Sequence, residues 1–327
     1  MTNFYFKMIN FLLYMKHFRL VLKFKKRVGY YPDISNPKKY HEMMLWRKLF
    51  DHNPIFQIFC DKIAAKEYAK SVLPDAEFPE TLWVGEDIGD APEELLGSDV
   101  VLKASHGSST NYIGAIGAGN LEDVRKMTRA WIKKDYGRSK HEWGYFGGRK
   151  RLFLERRLRH DGDGELVDVS VRCADGVPIL ASAITGNKTP LQKDGYFDLD
   201  GKRCPRFESK CHEDKILPAD FKLPASFPTV IDYARRLSVG VDYARFDFLC
   251  VGDHVYPGEI TVYPGSGLSQ ADDDGIDALI VCNWDLGSSW FLRTPQSGWR
   301  GAYAAFLRKH RSGFRRRSFA ATALKTS

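Results

Sequence analysis

The stretch YARFDFLCVGDHVYPGEITVYPGSG, residues 243–267, decides the fold of this chain. In its first half, apolar and polar side chains alternate with the two-residue period of a β-strand. The apolar face carries Phe246, Phe248 and Cys250, and the polar face carries Arg245 and Asp247. Because Gly252-Asp253 is a turn dipeptide, the stretch predicts a β-hairpin that joins residues 244–251 to residues 254–262.

The returning strand of this hairpin contains a second carboxylate, Glu259. A plain two-residue turn would set Asp247 opposite Gly258 and leave Glu259 on the wrong face. One extra residue at Pro257-Gly258, absorbed as a β-bulge, brings Asp247 and Glu259 opposite each other. Facing carboxylates share a cation or a proton, and Mg²⁺ prefers oxygen ligands. The alternative is a surface hairpin with solvated side chains; Arg245 on the same face favours a phosphoryl-transfer site.

Two other segments contain candidate nucleotide contacts. Lys103 ends an apolar strand and precedes the small polar loop 105–109, so its amine and the loop N–H groups are suited to phosphates. The spacing is not that of a Walker motif. Further along, the strand 151–158 leads to a polar hinge suited to adenine, and Asp168 in the next strand is suited to ribose hydroxyls.

Periodicity and chain breakers predict helices at residues 40–50, 60–72, 121–136 and 229–239, the second one capped by Asp61. Residues 186–228 are rich in proline and are predicted to be irregular. Helices mixed with hairpins in this way predict an α+β enzyme and not a doubly wound parallel sheet.

Three further patterns have a plainer interpretation. Asp161–Glu165 resembles part of a calcium loop but lacks the glutamate at position twelve, so a turn is predicted. Asp272–Asp274 resembles the metal site of glycosyltransferases that use nucleotide sugars, although a charged turn is favoured. Cys204, Cys211 and His212 lack a fourth zinc ligand at normal spacing, so reduced thiols are expected.

Charge is distributed unevenly along the 327 residues. Residues 1–30 hold seven Lys/Arg and residues 286–327 hold nine, and neither segment contains an acid. All 41 acids lie in residues 31–285, where 33 Lys/Arg leave a net charge of −8. An acidic body with two basic ends argues against nucleic-acid binding and indicates ends that suit an anionic surface.

The first 27 residues combine apolar with basic side chains. Lysines and arginines interrupt the apolar runs, so the segment does not provide the roughly 20 apolar residues of a spanning helix. It is also not followed by the small-residue cleavage site of a signal peptide. Two interpretations are open: an amphipathic helix that lies in a membrane interface, and a helix packed on the domain with solvated lysines. The basic positions at helical spacing are Lys16, Arg19, Lys23 and Lys26.

Taken in order, several segments resemble ATP-grasp proteins, specifically the TupA-like group linked to teichuronopeptide and polysaccharide synthesis. The resemblance covers roughly residues 28–270. Besides the hairpin, its segments are NPKKYHEMMLW (36–46), DKIAAKEYA (61–69), VVLKASHGSS (100–109), HEWGYF (141–146), LFLERRL (152–158) and LVDVSV (166–171). The group implies an ATP-grasp fold, in which two α+β lobes clasp ATP between them.

The resemblance also implies roles for individual residues. Those implied to contact ATP through its phosphates, adenine or ribose are Lys62, Lys103, His106, Gly107, Ser108, Ser109, Glu155, Arg156, Leu158 and Asp168. Asp247 and Glu259 would ligate Mg²⁺, and Arg245 with Lys103 would stabilise the transferring phosphoryl group. The second substrate would bind at Thr261, Pro264, Gly265, Ser266 and Gly267.

Three positions depart from the usual pattern of the group. Thr261 stands where the wider fold has an asparagine two residues after the metal glutamate. Ser170 stands where a lysine is common, so the contact of that lysine is absent or is supplied by Arg172. Ser109 replaces the second glycine of the loop, which bears on loop geometry and substrate class.

The implied activity is ATP-dependent, amide-forming ligation of a carboxylate and an amine through an acyl phosphate. The substrate would be a uronic acid or an amino acid on a bacterial surface polysaccharide or its precursor. The implied catalytic domain is residues 31–285, with a smaller lobe at about 100–152 and a larger lobe at about 153–285, between basic segments 1–30 and 286–327. We expect a cytoplasmic protein and leave open its docking to the inner face of the cytoplasmic membrane.

Two alternative functions, each from another functional class, remain open. A polysaccharide glycosyltransferase would bind metal at Asp272–Asp274 and consume a nucleotide sugar. A membrane-associated scaffold would use only the basic ends, and the intact set of Lys103, Asp247 and Glu259 weighs against such a decayed site.

Overall fold

A computed structural model describes residues 2–158, 166–187, 189–208, 212–269 and 275–310. The patterns at Asp161–Glu165 and Asp272–Asp274, Cys211 of the thiol pattern, and residues 311–327 of the basic C-terminal segment lie outside these residues. In the part of the chain that is described, no helix combines the length and the apolarity that crossing a bilayer requires.

Helices occur at both ends of the described chain and between the sheets. They are α1 (Thr2–Lys16), α2 (Phe18–Val28), α3 (Tyr40–Phe50), α4 (Ile55–Cys60), α5 (Lys62–Val72), α6 (Glu93–Leu96), α7 (Leu121–Lys133), α8 (Phe227–Leu237), α9 (Ile276–Asn283), α10 (Trp290–Arg293) and α11 (Gly298–His310). The four helices predicted from periodicity correspond to α3, α5, α7 and α8. The predicted cap of α5 is confirmed, because the Asp61 carboxylate accepts from the N–H groups of Ile63 and Ala64 at 2.9 and 3.0 Å.

The described strands form two antiparallel sheets. The strands are β1 (Thr81–Gly85), β2 (Val100–Ala104), β3 (Asn111–Ile113), β4 (Leu152–Arg156), β5 (Val167–Ala174), β6 (Val177–Thr185), β7 (Lys193–Phe197), β8 (Ala244–Val251) and β9 (His254–Thr261). A smaller sheet has the order β1-β4-β2-β3, and a larger sheet has the order β7-β6-β5-β8-β9. Each sheet has its own apolar core: α7 covers the smaller sheet, and α8 covers the larger one.

The smaller sheet includes more of the chain than the sequence analysis assigned to the smaller lobe. Its first strand begins at Thr81, and residues 153–156, expected in the larger lobe, pair with β2 at its centre. The chain therefore passes to the larger sheet after Arg156, which leaves the predicted hinge directly between the two sheets.

The prediction of irregular structure throughout residues 186–228 was wrong at β7. Residues 193–197 extend the larger sheet by pairing with β6, where Gly195 stands opposite Ala183. A Cβ on Gly195 would lie 2.9 Å from the Leu217 side chain, so a glycine leaves room where the next segment crosses. That glycine interrupts the strand signal in the sequence.

A buried ion pair fixes α3 to the start of β8. Arg47, completely buried, pairs with Asp242 at 2.9 Å and donates to the carbonyl oxygens of Tyr243 and Val262 at 2.9 and 2.8 Å. Asp242 also accepts from the Trp284 indole N–H at 2.8 Å. Because Tyr243 precedes β8 and Val262 follows β9, these bonds hold both ends of the hairpin at the same point.

Candidate active site

The bulge predicted for the hairpin is confirmed. Phe246 pairs with Ile260 and Phe248 pairs with Pro257, so the single residue Asp247 faces the two residues 258 and 259. A Cβ on Gly258 would lie 3.0 Å from the Asp247 carbonyl oxygen, and this close approach is why a glycine is needed there. The bulge returns the Glu259 side chain to the polar face of the sheet.

The Asp247 carboxylate is the centre of a polar network on that face. Arg245 donates to both of its oxygens at 2.7 Å. Ser170, on the neighbouring strand β5, donates to Asp247 Oδ1 at 2.6 Å, and Thr261 donates to Oδ2 at 3.4 Å. The Asp247 carboxylate raises the pKa of the Arg245 guanidinium above its ordinary value, and Glu259 adds to this effect. Arg245 is therefore a permanent cation held beside two carboxylates.

Ser170 was not among the predicted site residues, and only its departure from the usual lysine was noted. In the fold it stands directly opposite Asp247, because β5 pairs with β8 in that register. Arg172 stands opposite Arg245 in the same register, and its Nη1 is buried with no hydrogen-bond partner among the described residues. The hydroxyl of Ser170 thus reaches the metal-ligand candidate, whereas Arg172 adds a second cation to the face.

The two carboxylates fit a magnesium ion. The described residues contain no group of three or more His, Cys, Asp or Glu side chains arranged to hold a metal. Magnesium does not need such a group, since it is commonly held by one or two carboxylates together with water and substrate phosphate oxygens. Asp247 and Glu259, both half-buried and on one face, are the pair that would hold it.

The predicted phosphate loop lies against the N-terminal end of α5. The Lys62 ammonium donates to the Gly107 carbonyl oxygen, and the Lys62 backbone N–H donates to the Ser105 carbonyl oxygen at 2.6 Å. Gly107 and Ser109 have positive φ values of 81° and 59°, so the chain turns sharply here without the second glycine. The Nε2 atom of His106 lies 3.1 Å from the Trp131 carbonyl oxygen, and burial lowers the pKa of the His106 imidazole. Ser108 and Ser109 are exposed at the tip.

Lys103 lies in a cluster that the sequence did not reveal. Its ammonium and that of Lys66 contact opposite oxygens of the Glu155 carboxylate, which is 4% exposed. Lys66 also donates to the Pro79 carbonyl at 2.6 Å. Lys103 is the more exposed of the two lysines, at 30% against 11% for the side chains. One buried acid thus orients two cations, and Lys103 is the cation that faces solvent.

The remaining nucleotide candidates lie at the hinge between the sheets. Arg156 ends β4 and pairs with Glu80 at 2.8 Å, and Leu158 follows it, half-buried. Asp168 stands on β5 opposite Leu249. Lys103 is on the neighbouring strand β2, and its ammonium contacts Glu155, the residue that precedes Arg156.

The predicted second-substrate segment is held in a strained conformation. Gly265, Ser266 and Gly267 have φ values of 55°, 60° and 57°, and a Cβ on Gly267 would lie 2.3 Å from Met44. Lys48 contacts both the carbonyl and the hydroxyl of Ser266, and the Ser266 hydroxyl donates to Glu142. Burial lowers the pKa of Lys48 to about 8. Neither Lys48 nor Glu142 was predicted as a site residue, although Glu142 lies in the segment HEWGYF.

A cavity of about 450 Å³ adjoins this region. His106 of the phosphate loop, Cys60 and Tyr145 contribute to its walls. Burial raises the pKa values of both Cys60 and Tyr145, and the Glu142 and Glu259 carboxylates add to this effect. The cavity therefore lies beside the phosphate loop.

A family model described as TupA-like ATPgrasp matches residues 42–281. This match includes both sheets and most of the candidate site. The chain belongs to the TupA-like ATP-grasp family. The ATP-grasp fold and the α+β class expected from the sequence are thereby confirmed.

This TupA-like protein also resembles solved ATP-grasp ligases at low identity. D-alanine–D-alanine ligase from Bacillus anthracis is 18% identical, with 62% of this chain and 57% of that chain covered and a TM-score of 0.37. The Helicobacter pylori enzyme is 13% identical, with 70% and 62% covered and a TM-score of 0.41. An N5-carboxyaminoimidazole ribonucleotide synthetase with ADP is 11% identical, with 76% and 52% covered and a TM-score of 0.37. This chain thus spans 52–62% of the length of these enzymes, and no curated protein matches it.

Proposed function

We propose that this TupA-like protein is an ATP-dependent carboxylate–amine ligase that forms an amide and releases ADP and phosphate. The observation that carries the proposal is the polar face around Asp247, where two carboxylates, a paired arginine and a hydroxyl share one side of the larger sheet. Membership of an ATP-grasp family supports ATP as the phosphoryl donor.

In the proposed reaction, a carboxylate oxygen of the first substrate attacks the γ-phosphorus of ATP. The bond from that phosphorus to the β-γ bridging oxygen breaks, giving ADP and an acyl phosphate. The amine of the second substrate then attacks the acyl carbon, phosphate leaves with its bonding electrons, and the amine loses a proton. The chain needs no nucleophile of its own, so its contribution is alignment and charge neutralisation.

Each part of the site has a task in this scheme. Lys62, Lys103 and the loop 105–109 bind phosphates, and the hinge after β4 receives adenine. Asp247 and Glu259 would hold magnesium, which supplies positive charge to the phosphate oxygens. Arg245 remains charged throughout and stabilises the transferring group.

For the second substrate we propose the segment 264–267. Its conformation is set before any ligand arrives, because Lys48 and Glu142 hold Ser266 from two sides. Such preorganisation lowers the cost of binding. The substrate class that we propose is a uronic acid or an amino acid of a bacterial surface polysaccharide precursor, which the family resemblance suggests.

The function is tested by measuring ADP and phosphate release with ATP and magnesium across pairs of uronic acids and amino acids. The expected result is release that requires both partners of one pair, together with formation of an amide detected by mass spectrometry. Release of a nucleoside diphosphate from an added nucleotide sugar, without ATP consumption, would instead support the glycosyltransferase alternative.

Removal of the exposed lysine of the cluster should weaken nucleotide binding. Lys103→Ala is expected to lose a charge-assisted contact of about 1.5–3 kcal/mol, which is about a 10- to 150-fold weaker ATP affinity by calorimetry. Glu155 keeps Lys66 as its partner, so the fold should be retained. Lys126→Ala, at an exposed position of α7 in the same lobe, is the matched control. Equal affinities for the two variants would remove Lys103 from the site.

A further inference from the structure

The helix pair α1–α2 presents an exposed apolar face. Seven large side chains of the pair are each 42–68% exposed, and in α1 they recur at positions 4, 8, 11, 12 and 15, which lie on one side of a helix. We call this set the apolar face: Phe4, Met8, Phe11, Leu12, Met15, Phe18 and Leu22. A contiguous exposed patch of this kind marks an interaction surface.

The opposite side of the same helices is anchored in the main core. Six side chains of the pair are buried there: Phe6, Leu13, Leu20, Val21, Phe24 and Val28. Asn10 accepts from the Ile34 N–H at 2.8 Å, and Tyr14 donates to the Pro32 carbonyl at 2.7 Å. Both interpretations of the sequence therefore describe part of this segment: it is packed on the domain, and it still exposes an apolar face.

The charged side chains of the helix pair itself are all positive. Lys7, Arg19 and Lys26 are exposed on the helix pair, and residues 1–30 contain no acid. The helix pair also contacts α11 of the other acid-free segment, with the rings of Phe6 and Phe306 4.8 Å apart. The helix pair and α11, far apart in sequence, thus pack against each other.

We propose that the apolar face docks this protein on a lipid bilayer that contains anionic lipid. The apolar side chains enter the interface between headgroups and acyl chains, and the flanking lysines and arginines bind the anionic headgroups. Binding of a second copy of the chain to this face is disfavoured, because the positive charges that flank the two apolar faces would repel each other. This docking does not depend on the ligase activity proposed above.

A second cavity lies next to the helix pair. Leu13, Lys16 and His17 of the helix pair line a cavity of about 200 Å³ whose far wall includes Lys48. Lys48 is the residue that holds Ser266 in the proposed substrate segment. This cavity therefore lies on the side of α1 that carries Leu13, opposite the apolar face.

The test is co-sedimentation of the full chain with phosphatidylcholine vesicles, with and without about 30% phosphatidylglycerol. The wild type should bind the anionic vesicles and bind the neutral ones at least tenfold more weakly. Phe11→Ser with Met15→Ser should reduce binding to anionic vesicles at least tenfold. The matched control is Leu191→Ser with Val239→Ser, which changes side chains that are 79% and 66% exposed elsewhere and should leave binding unchanged. Deletion of residues 1–27 is unsuitable because it would open the core.

A charge variant keeps the proposal testable independently of the serine substitutions. Lys7→Gln, Arg19→Gln and Lys26→Gln together change exposed positions only and should abolish the preference for anionic vesicles. Wild-type protein that stays in the supernatant with anionic vesicles at low salt would overturn the proposal. Binding of the Phe11→Ser, Met15→Ser variant equal to that of the wild type would also overturn it. A concentration-dependent dimer of the wild type in analytical ultracentrifugation, absent in this variant, would overturn it in favour of a second copy of the chain.

Discussion

Asp247→Asn and Glu259→Gln are each expected to lower magnesium-dependent ADP release by at least about 10²- to 10³-fold. Either change removes one of the two carboxylates that would hold the metal, and the neutral side chain is a poor magnesium ligand. Asp247→Asn also removes the carboxylate that both ends of the Arg245 guanidinium contact. The loss should therefore be seen at saturating ATP as well as at low ATP.

The matched control for this experiment is Asp253→Asn, the same substitution at the exposed turn of the same hairpin. Turnover of the control should equal that of the wild type, and the melting temperatures of all variants should differ by only a few degrees. A site variant that keeps most of its turnover would show that the metal assignment is wrong. If the double variant Asp272→Asn, Asp274→Asn lost activity instead, the glycosyltransferase alternative would replace the ligase proposal.

Arg47→Met is expected to lower the free energy of unfolding by about 3–5 kcal/mol, measured by urea denaturation. The change removes the charge that compensates the buried Asp242 and leaves two carbonyl oxygens without their donor. Asp51 lies in the same interior region, where burial and Asp242 raise its pKa to about 8.

Arg236→Met is the control for the Arg47 variant. Arg236 pairs with Asp75 at 2.8 Å in an exposed ion pair, so its loss should cost at most about 1 kcal/mol. The double variant Arg47→Met, Asp242→Asn should recover more than half of the lost stability, since no uncompensated charge is then buried. Equal effects of Arg47→Met and Arg236→Met would contradict the assignment of Arg47 as the ion that fixes the hairpin.

Local pattern was sufficient to predict the geometry of the hairpin. The alternation of residues 244–251, the turn dipeptide and Pro257-Gly258 predicted a bulge, and that bulge brings Asp247 and Glu259 to one face. Side-chain direction in a strand follows from sequence position alone, so no distant contact was needed. The cap at Asp61 was predictable for the same reason, because a capping bond spans only two or three residues.

The partners supplied by other elements were not predictable. Lys66 meets Glu155 across 89 positions of sequence, Ser170 meets Asp247 across 77, and Ser266 meets Glu142 across 124. Each contact depends on the register between elements or on the way a helix packs on a sheet, and neither is encoded in a short window of sequence.

The N-terminal segment shows the same division most clearly. Its sequence alone determined that it is helical, apolar and basic without acids, since these are properties of composition and spacing. Only the tertiary structure decided which side chains are buried, and it placed the segment against α11 at the other end of the chain. The physical reason is that an amphipathic sequence specifies that one face must be covered, whereas the surface that covers it is chosen by the packing of the whole fold.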